Sequence, residues 1–81
     1  MKTADEMFEE LGYEKYISSR HEGYYQYDEQ SNTMCILFII DKKAIAIRYN
    51  ESNAPAISMQ ELQVINKKVE ELGWIKWKKI V

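Results

Sequence analysis

Apolar and polar positions along this chain follow two different periods, one typical of helices and the other of strands. Near the N-terminus, apolar residues recur at i, i+3, i+4 and i+7, which predicts a short helix from Ala4 to Leu11. A second stripe of this kind predicts a longer helix from Met59 to Leu72. The expected core positions of the second helix are Met59, Leu62, Val64, Ile65, Val69 and Leu72. Its expected outward positions include Lys67 and Lys68.

Both predicted helices carry the same start and stop signals. Each begins with a capping box, in which two side chains satisfy free backbone amides. The boxes are Thr3-x-x-Glu6 and Ser58-x-x-Glu61. Each helix ends in the phrase Glu-Glu-Leu-Gly followed by an aromatic residue, with the glycines at Gly12 and Gly73. A glycine just past a helix can turn the chain back and cap the last carbonyls, so we interpret the phrase as a helix stop and not as a duplicated domain.

Between the helices, the apolar pattern changes to the short runs and alternation that are typical of strands. We predict strands at 13–18, 24–28, 33–40 and 44–49, with a loop at 18–23 and another that ends at Pro55. The chain is therefore expected to form one α+β domain over residues 1–81. This domain has a short N-terminal helix, an antiparallel three- to four-stranded meander, a longer C-terminal helix and a possible terminal strand at 74–81.

The third predicted strand is apolar on both of its faces, which is unusual for a sheet with one face in water. One face carries Ile36, Phe38 and Ile40, and the other carries Cys35, Leu37 and Ile39. We expect both helices to cover the same face of the sheet. The second face is then covered either within the chain, by the terminal strand or by the tyrosines at 24, 25 and 27, or by a second copy or another protein.

Composition and charge narrow the class of protein. A chain of 81 residues buries one modest core, and its apolar content is that of a globular protein. The longest apolar run, at 34–40, is too short to cross a membrane, and no apolar signal region follows the first residues. We therefore expect a cytoplasmic protein that does not enter the membrane. The net charge of −2 conceals an uneven distribution, because residues 1–41 are mainly acidic and residues 42–81 mainly basic.

The sequence holds no catalytic or metal-binding signature. His21 is the single histidine and is expected in a surface loop, and Cys35 is the single cysteine and is expected to be a buried, reduced thiol. No nucleophile motif, phosphate loop or glycine fingerprint occurs in the chain. We therefore predict that the protein is not an enzyme and uses no cofactor or metal.

Two candidate binding surfaces are suggested by residues in the acidic half of the chain. Carboxylates along a helix can imitate a phosphate backbone and fit a basic groove on another protein, although they also suit a solvated helix face. These residues are Asp5, Glu6, Glu9, Glu10 and Glu14. Tyrosine is enriched at protein interfaces, although it also packs across strands. The candidate tyrosine patch consists of Tyr24, Tyr25 and Tyr27.

A third candidate surface lies at the C-terminal end, where aromatic residues alternate with lysines. Aromatic rings can stack on bases while lysines meet phosphates, so this segment suggests an alternative function as a binder of single-stranded nucleic acid or of a signalling nucleotide. Its residues are Trp74, Lys76, Trp77, Lys78 and Lys79. The acidity of the whole chain argues against nucleic acid as the partner.

The two ends of the chain resemble a group of small proteins from phages and prophages of Gram-positive bacteria (Firmicutes). The resemblance rests on residues 4–13 (ADEMFEELGY) and 57–74 (ISMQELQVINKKVEELGW), and it does not extend to the predicted strands. The shared residues are helix stripes and caps, so the resemblance bears on fold more than on activity. It implies that the protein acts in a bacterial host cell. Small acidic phage proteins of this kind often bind a host protein, and some inhibit defence systems, as anti-CRISPR proteins do.

These observations lead to one main hypothesis and two alternatives. The main hypothesis is a non-enzymatic phage or prophage protein that binds and blocks a host protein. The alternatives are the nucleic-acid or nucleotide binder described above and a homodimer with a structural role. The identity of the host partner does not follow from the sequence.

Overall fold

The computed structural model describes residues 2–51 and 54–75 of the chain. The order of its elements is α1 (Ala4–Glu10), β1 (Glu14–Ile17), β2 (His21–Tyr27), β3 (Thr33–Ile39), β4 (Ala44–Tyr49) and α2 (Met59–Glu71). The four strands form one antiparallel sheet in the order β1-β2-β3-β4, so the sheet is a meander. This confirms the predicted α+β fold. The proposed terminal strand falls mostly on residues 76–81, which lie outside the described residues.

Both predicted helix starts are confirmed. The Thr3 hydroxyl accepts a hydrogen bond from the backbone N–H of Glu6 at 3.2 Å, and the Glu6 carboxylate accepts one from the N–H of Thr3 at 2.9 Å. In α2, the hydroxyl of Ser58 and the carboxylate of Glu61 make the same reciprocal pair, at 3.0 and 2.7 Å. Each box satisfies two amides that the helix itself leaves without partners.

Both predicted helix stops are confirmed as well. Gly12 and Gly73 have φ angles of 90° and 73°, in the left-handed region that favours glycine. After α1, the N–H of Tyr13 donates to the carbonyl of Phe8 at 3.0 Å, and the Tyr13 ring packs edge-on against the Phe8 ring with centroids 5.5 Å apart. After α2, the N–H of Trp74 donates to the carbonyl of Val69 at 3.1 Å. This is the hydrogen-bond pattern that reverses the chain after a helix.

Substitution of Gly12 by alanine is expected to lower the free energy of unfolding by about 1–2 kcal/mol, because a side chain strains left-handed backbone. The added β-carbon would lie 3.5 Å from the side chain of Gln26, which is an ordinary contact. The loss of stability should therefore come from backbone strain alone. Urea unfolding measures this change in the free energy of unfolding. Gly73→Ala provides the matched test, because no atom lies within 4 Å of its added β-carbon. Equal stability of both variants and the wild type would contradict the assignment of these glycines.

The core lies between one face of the sheet and the two helices, which pack on that face and on each other. Its largest fully buried side chains are Tyr24, Phe8, Phe38 and Ile36. The remaining buried apolar side chains of the cluster are Tyr13, Met34, Val64, Ile65 and Val69. The expectation that both helices cover a single face is therefore met.

The predicted core stripe of α2 is partly wrong. Met59 and Leu62 are exposed, whereas Lys68, expected on the outside, is only 6 % exposed. The buried and half-buried positions of α2 are Glu61, Val64, Ile65, Lys67, Lys68 and Val69, and Leu72 at its C-cap is half-buried as well. Glu61 and Lys68 belong to the stripe because each has a partner beneath it. The Tyr13 hydroxyl donates to Glu61, and Lys68 donates to Glu22. An apolar pattern alone cannot detect such polar positions.

The predicted loop between β1 and β2 is too long. His21, expected in that loop, is the first residue of β2, and the turn is closed by the N–H of Ser18, which donates to the carbonyl of His21 at 2.9 Å. Gly23, also assigned to the loop, lies within β2. Glycine is often a turn signal, but the ring of Tyr16 fills the space that a side chain at Gly23 would need, so glycine is suited to this strand position. The strand therefore continues through the glycine.

Candidate protein-binding face

The two faces of the sheet have different surroundings. Along each strand, successive side chains point to opposite faces, so the burial of Ile36 and Phe38 under the helices places Cys35, Leu37 and Ile39 on the other face. We call this second side the open face. The pairing of the strands adds residues of β1, β2 and β4 to it. Its main side chains are Glu14, Tyr16, Tyr25, Tyr27, Cys35, Leu37, Ile39 and Arg48.

The register of the four strands arranges the open face in rows that cross the sheet. One row pairs Glu14 with Tyr25, Tyr25 with Cys35, and Cys35 with Arg48, and we call it the charged row. The next row holds Tyr16, Gly23, Leu37 and Ala46, and we call it the apolar row. The open face thus has an apolar centre and opposite charges at the two edge strands.

Tyrosine rings cover part of the apolar centre from one side. The Tyr16 and Tyr25 centroids lie 6.1 Å apart, and those of Tyr25 and Tyr27 lie 5.6 Å apart. Tyr27 is 62 % exposed, and Tyr16 is 40 % exposed. Leu37 and Ile39 are half-buried on the same face. The tyrosines therefore shield the face in part and leave aromatic surface in contact with solvent.

Cys35 lies at the centre of the charged row and is half-buried. Burial raises the pKa of its thiol, against the smaller opposing effects of Arg48 and of a hydrogen bond with Tyr16. The thiol is therefore neutral near pH 7, and a neutral thiol is a poor nucleophile. Cys35 is less buried than expected from the sequence, because it lies on the open face of the sheet.

The predicted acidic face of α1 is divided among separate contacts within the molecule. Asp5 accepts hydrogen bonds from Lys15 and Tyr24, and Glu6 belongs to the capping box. Glu10 pairs with Lys2. Glu14 lies in edge strand β1 at the edge of the open face, and it also borders a shallow cleft that Asp5 and Glu9 line. Glu9 is exposed and makes no ion pair within the described residues, so it is the acidic side chain of this group that a partner would reach most easily.

Asp5 belongs to an ion cluster that joins four elements on the helix-covered side. We define this cluster as Asp5 of α1, Lys15 of β1, Glu22 of β2 and Lys68 of α2. Lys68 donates to Glu22 at 3.0 Å, and Lys15 lies 2.7 Å from Asp5 and 3.3 Å from Glu22. Both lysine ammonium groups also lie about 6 Å from the Tyr24 ring centroid, within the range of cation–π attraction. The cluster ties both helices to the first two strands.

Acid is expected to weaken this ion cluster. Burial alone would raise the pKa of Glu22, but the hydrogen bonds and charges of Lys68 and Lys15 outweigh it, so the pKa lies below its usual value. The pKa of Asp5 is lowered in the same way, against burial, by Lys15 and Tyr24. A carboxyl with a lowered folded-state pKa stabilises the protein above its unfolded pKa, which is about 4, and this stability is lost as the pH falls through the folded pKa.

The free energy of unfolding should therefore decrease below about pH 4, measured by urea unfolding across a pH series. A Glu22→Gln variant is the control, because it removes the carboxyl whose ionisation the cluster favours. Its stability should change less with pH over the same interval. A wild-type curve that is no steeper than the variant curve would show that the cluster does not produce the effect.

The sheet separates the three tyrosines of the predicted contact patch. Tyr24 is buried in the core at 1 % exposure and cannot contact a partner, because it faces the helices. Tyr25 and Tyr27 lie on the open face, where Tyr16 joins them. The sequence already indicates Leu37 on this face, but Tyr16 and Arg48 join it only through the strand register.

The predicted nucleic-acid segment is only partly visible. The Trp74 ring packs near the core, with its centroid 6.2 Å from that of Phe38. Lys76, Trp77, Lys78 and Lys79 lie outside the described residues. The alternative function as a nucleic-acid or nucleotide binder therefore stays a prediction. Trp74 no longer supports it, because this residue packs against the core.

Over residues 2–51 and 54–75, no group of three or more histidine, cysteine or carboxylate side chains is arranged to hold a metal ion. Within the same ranges, no helix has the length and apolar character needed to cross a membrane. A comparison with known protein families, curated proteins and solved structures finds no match to this chain.

Proposed function

We propose that this chain is a non-enzymatic phage or prophage protein that binds a host protein through the open face and thereby blocks it. A component of a bacterial defence system is the class of target that we favour. The phage context comes from the sequence resemblance of the two helical ends. The observation that supports the binding surface is the open face itself, an apolar sheet surface that both helices leave uncovered.

The residue types on the open face suit a protein interface. Aromatic residues and arginine are enriched at interfaces and dominate their binding energy, and the open face presents tyrosines and Arg48 around Leu37. A tyrosine contributes a large contact area with few rotatable bonds, so it loses little entropy when a partner immobilises it. Contact with a partner would remove Leu37 and Ile39 from water completely, which is favourable by the hydrophobic effect.

In this proposal, the protein blocks its host partner simply by covering part of the partner's surface. A rigid sheet presents its side chains in fixed rows, so binding needs little rearrangement of this protein. The host protein would lose access to whichever of its own surfaces the open face covers. The edge charges Glu14 and Arg48 would then add orientation and speed of association more than affinity.

Capture from host lysate tests this proposal. The tagged wild-type protein is expected to retain a specific Gram-positive host protein, which is identified by mass spectrometry, purified and titrated against this protein by calorimetry. A Tyr25→Ser/Tyr27→Ser variant should bind that partner at least about tenfold more weakly, because it removes the exposed ring of Tyr27 and the half-buried ring of Tyr25 from the open face. The activity of the purified partner, assayed with and without this protein, then decides whether binding blocks it.

The control removes apolar surface from another part of the molecule. Met59 on α2 is 71 % exposed, so Met59→Ser deletes a side chain of comparable exposure without touching the open face. It should bind like the wild type. Retention of the partner by the tyrosine variant, together with loss in Met59→Ser or in Glu9→Lys, would assign binding to the helix side and contradict the proposal. Capture of no specific host protein would also contradict it.

A further inference from the structure

The charged row of the open face has opposite charges at its two ends. Glu14 on edge strand β1 and Arg48 on edge strand β4 are both exposed, with Tyr25 and Cys35 between them. Three strand spacings separate them, which is about 14 Å, so they are too far apart for a direct ion pair within one chain. Arg48 makes no ion pair within the described residues. One protomer therefore carries a negative end and a positive end on the same row.

A two-fold axis parallel to the strands, between β2 and β3, makes this row complementary to itself. Rotation about that axis reverses the strand order and keeps each row at its own level, so β1 of one copy faces β4 of the other. Glu14 of one copy then faces Arg48 of the other, and the symmetry forms this pair twice. Two sheets stack about 10 Å apart, a gap that extended arginine and glutamate side chains can bridge together.

The same rotation matches large side chains with small ones. In the apolar row, Tyr16 of one copy faces Ala46 of the other. Tyr27 of β2 pairs with Thr33 of β3 within one copy. After the rotation, Tyr27 of one copy therefore faces Thr33 of the other. Tyr25 faces the compact side chain of Cys35. Interdigitation of large and small residues is what close packing between two sheets requires.

We infer that the open face binds a second copy of this chain in the free protein, with the Glu14–Arg48 pair setting the two-fold register. The sheet face measures roughly 19 Å by 20 Å, so the pair of copies buries about 800 Å², which is the size of a weak, transient interface. The dimer is therefore weak. A weak dimer protects the apolar face at high concentration and releases it to a tighter-binding partner, which must compete with the second copy.

Charge exchange tests the inference directly. Sedimentation equilibrium of the wild type over about 5–500 µM should show a monomer–dimer equilibrium. Glu14→Arg and Arg48→Glu should each weaken association at least about tenfold, because each replaces two attractive contacts with two repulsive ones. The double variant Glu14→Arg/Arg48→Glu restores opposite charges and should dimerise like the wild type. Both positions are exposed, and thermal unfolding by circular dichroism checks that every variant is folded.

Three results would overturn the inference. These are a wild type that is monomeric throughout the range, single variants that associate as well as the wild type, and a double variant that does not recover. The experiment uses only the purified chain, so it is independent of host binding. If the wild type is monomeric but the tyrosine variant loses the host partner, the dimer is wrong and the proposed function stands. If charge exchange behaves as expected but no host protein is captured, the dimer is supported and the proposed function is contradicted.

Discussion

Phe8→Ala is expected to lower the free energy of unfolding by about 3–5 kcal/mol, the largest effect of any single substitution proposed for this protein. Phe8 is 1 % exposed and is the main contact of the short helix α1 with the rest of the core. Its ring stacks on Tyr24 with centroids 3.9 Å apart and packs edge-on against Tyr13 and Phe38. Alanine would remove these aromatic contacts and leave a cavity that a seven-residue helix cannot fill.

Urea unfolding of the two proteins measures the difference. Since α1 is too short to be stable alone, its helical signal should be lost together with the core signal in one transition. Met59→Ala is the control, because the same kind of truncation at an exposed position should change stability by less than about 0.5 kcal/mol. A loss below about 1 kcal/mol for Phe8→Ala would mean that α1 does not depend on this contact.

Lys68→Ala is expected to lower the free energy of unfolding by about 2–3 kcal/mol, the range for a lost hydrogen bond between charged groups. The Lys68 side chain is 8 % exposed and the Glu22 side chain 21 %, so both charges are largely removed from water. Alanine would leave the Glu22 carboxylate with Lys15 as its remaining cation, at 3.3 Å. It would also delete the long apolar stem that packs beside Tyr24.

A double variant separates the loss of the pair from the loss of packing. Lys68→Met/Glu22→Met replaces both charges with apolar groups of similar length, and buried pairs replaced in this way lose little stability. We expect the double variant to be more stable than Lys68→Ala in the same urea titration. Lys67→Ala, at the next position of α2, should be close to the wild type. Equal losses for Lys67→Ala and Lys68→Ala would show that the ion cluster contributes nothing.

The parts of the fold that local chemistry determines were predictable from the sequence. Capping boxes and positive-φ glycines act over four to six residues, so Thr3, Gly12, Ser58 and Gly73 could be assigned without knowledge of tertiary structure. Strand Ala44–Tyr49 was also predicted at its observed bounds, because its alternation is clear. The strand around Gly23 was missed, because the Tyr16 ring that allows a glycine there comes from another strand.

The parts that depend on pairing between distant elements were not predictable. Lys68 is buried because Glu22 and Asp5 meet it from β2 and α1, and nothing near Lys68 in the sequence indicates this. The sequence showed that β3 is apolar on both faces, but not which face the helices would take. Alternation along a strand by itself places Tyr24 and Tyr25 on opposite faces, so the sequence pattern already argues against a single patch. The charged row depends on the registers of all three strand pairs, so it can be recognised only in the structure.

The most direct test of the central claim, that the open face is a binding surface, is hydroxyl-radical footprinting of this protein alone and with the captured host protein. The protein should be dilute enough to be monomeric in the free sample. We expect the oxidation of Tyr16, Tyr25, Tyr27 and Leu37 to decrease on binding, and that of the exposed Met59 to stay unchanged. Protection of Met59 with no change at Tyr25 and Tyr27 would place the partner on the helix side and contradict the account.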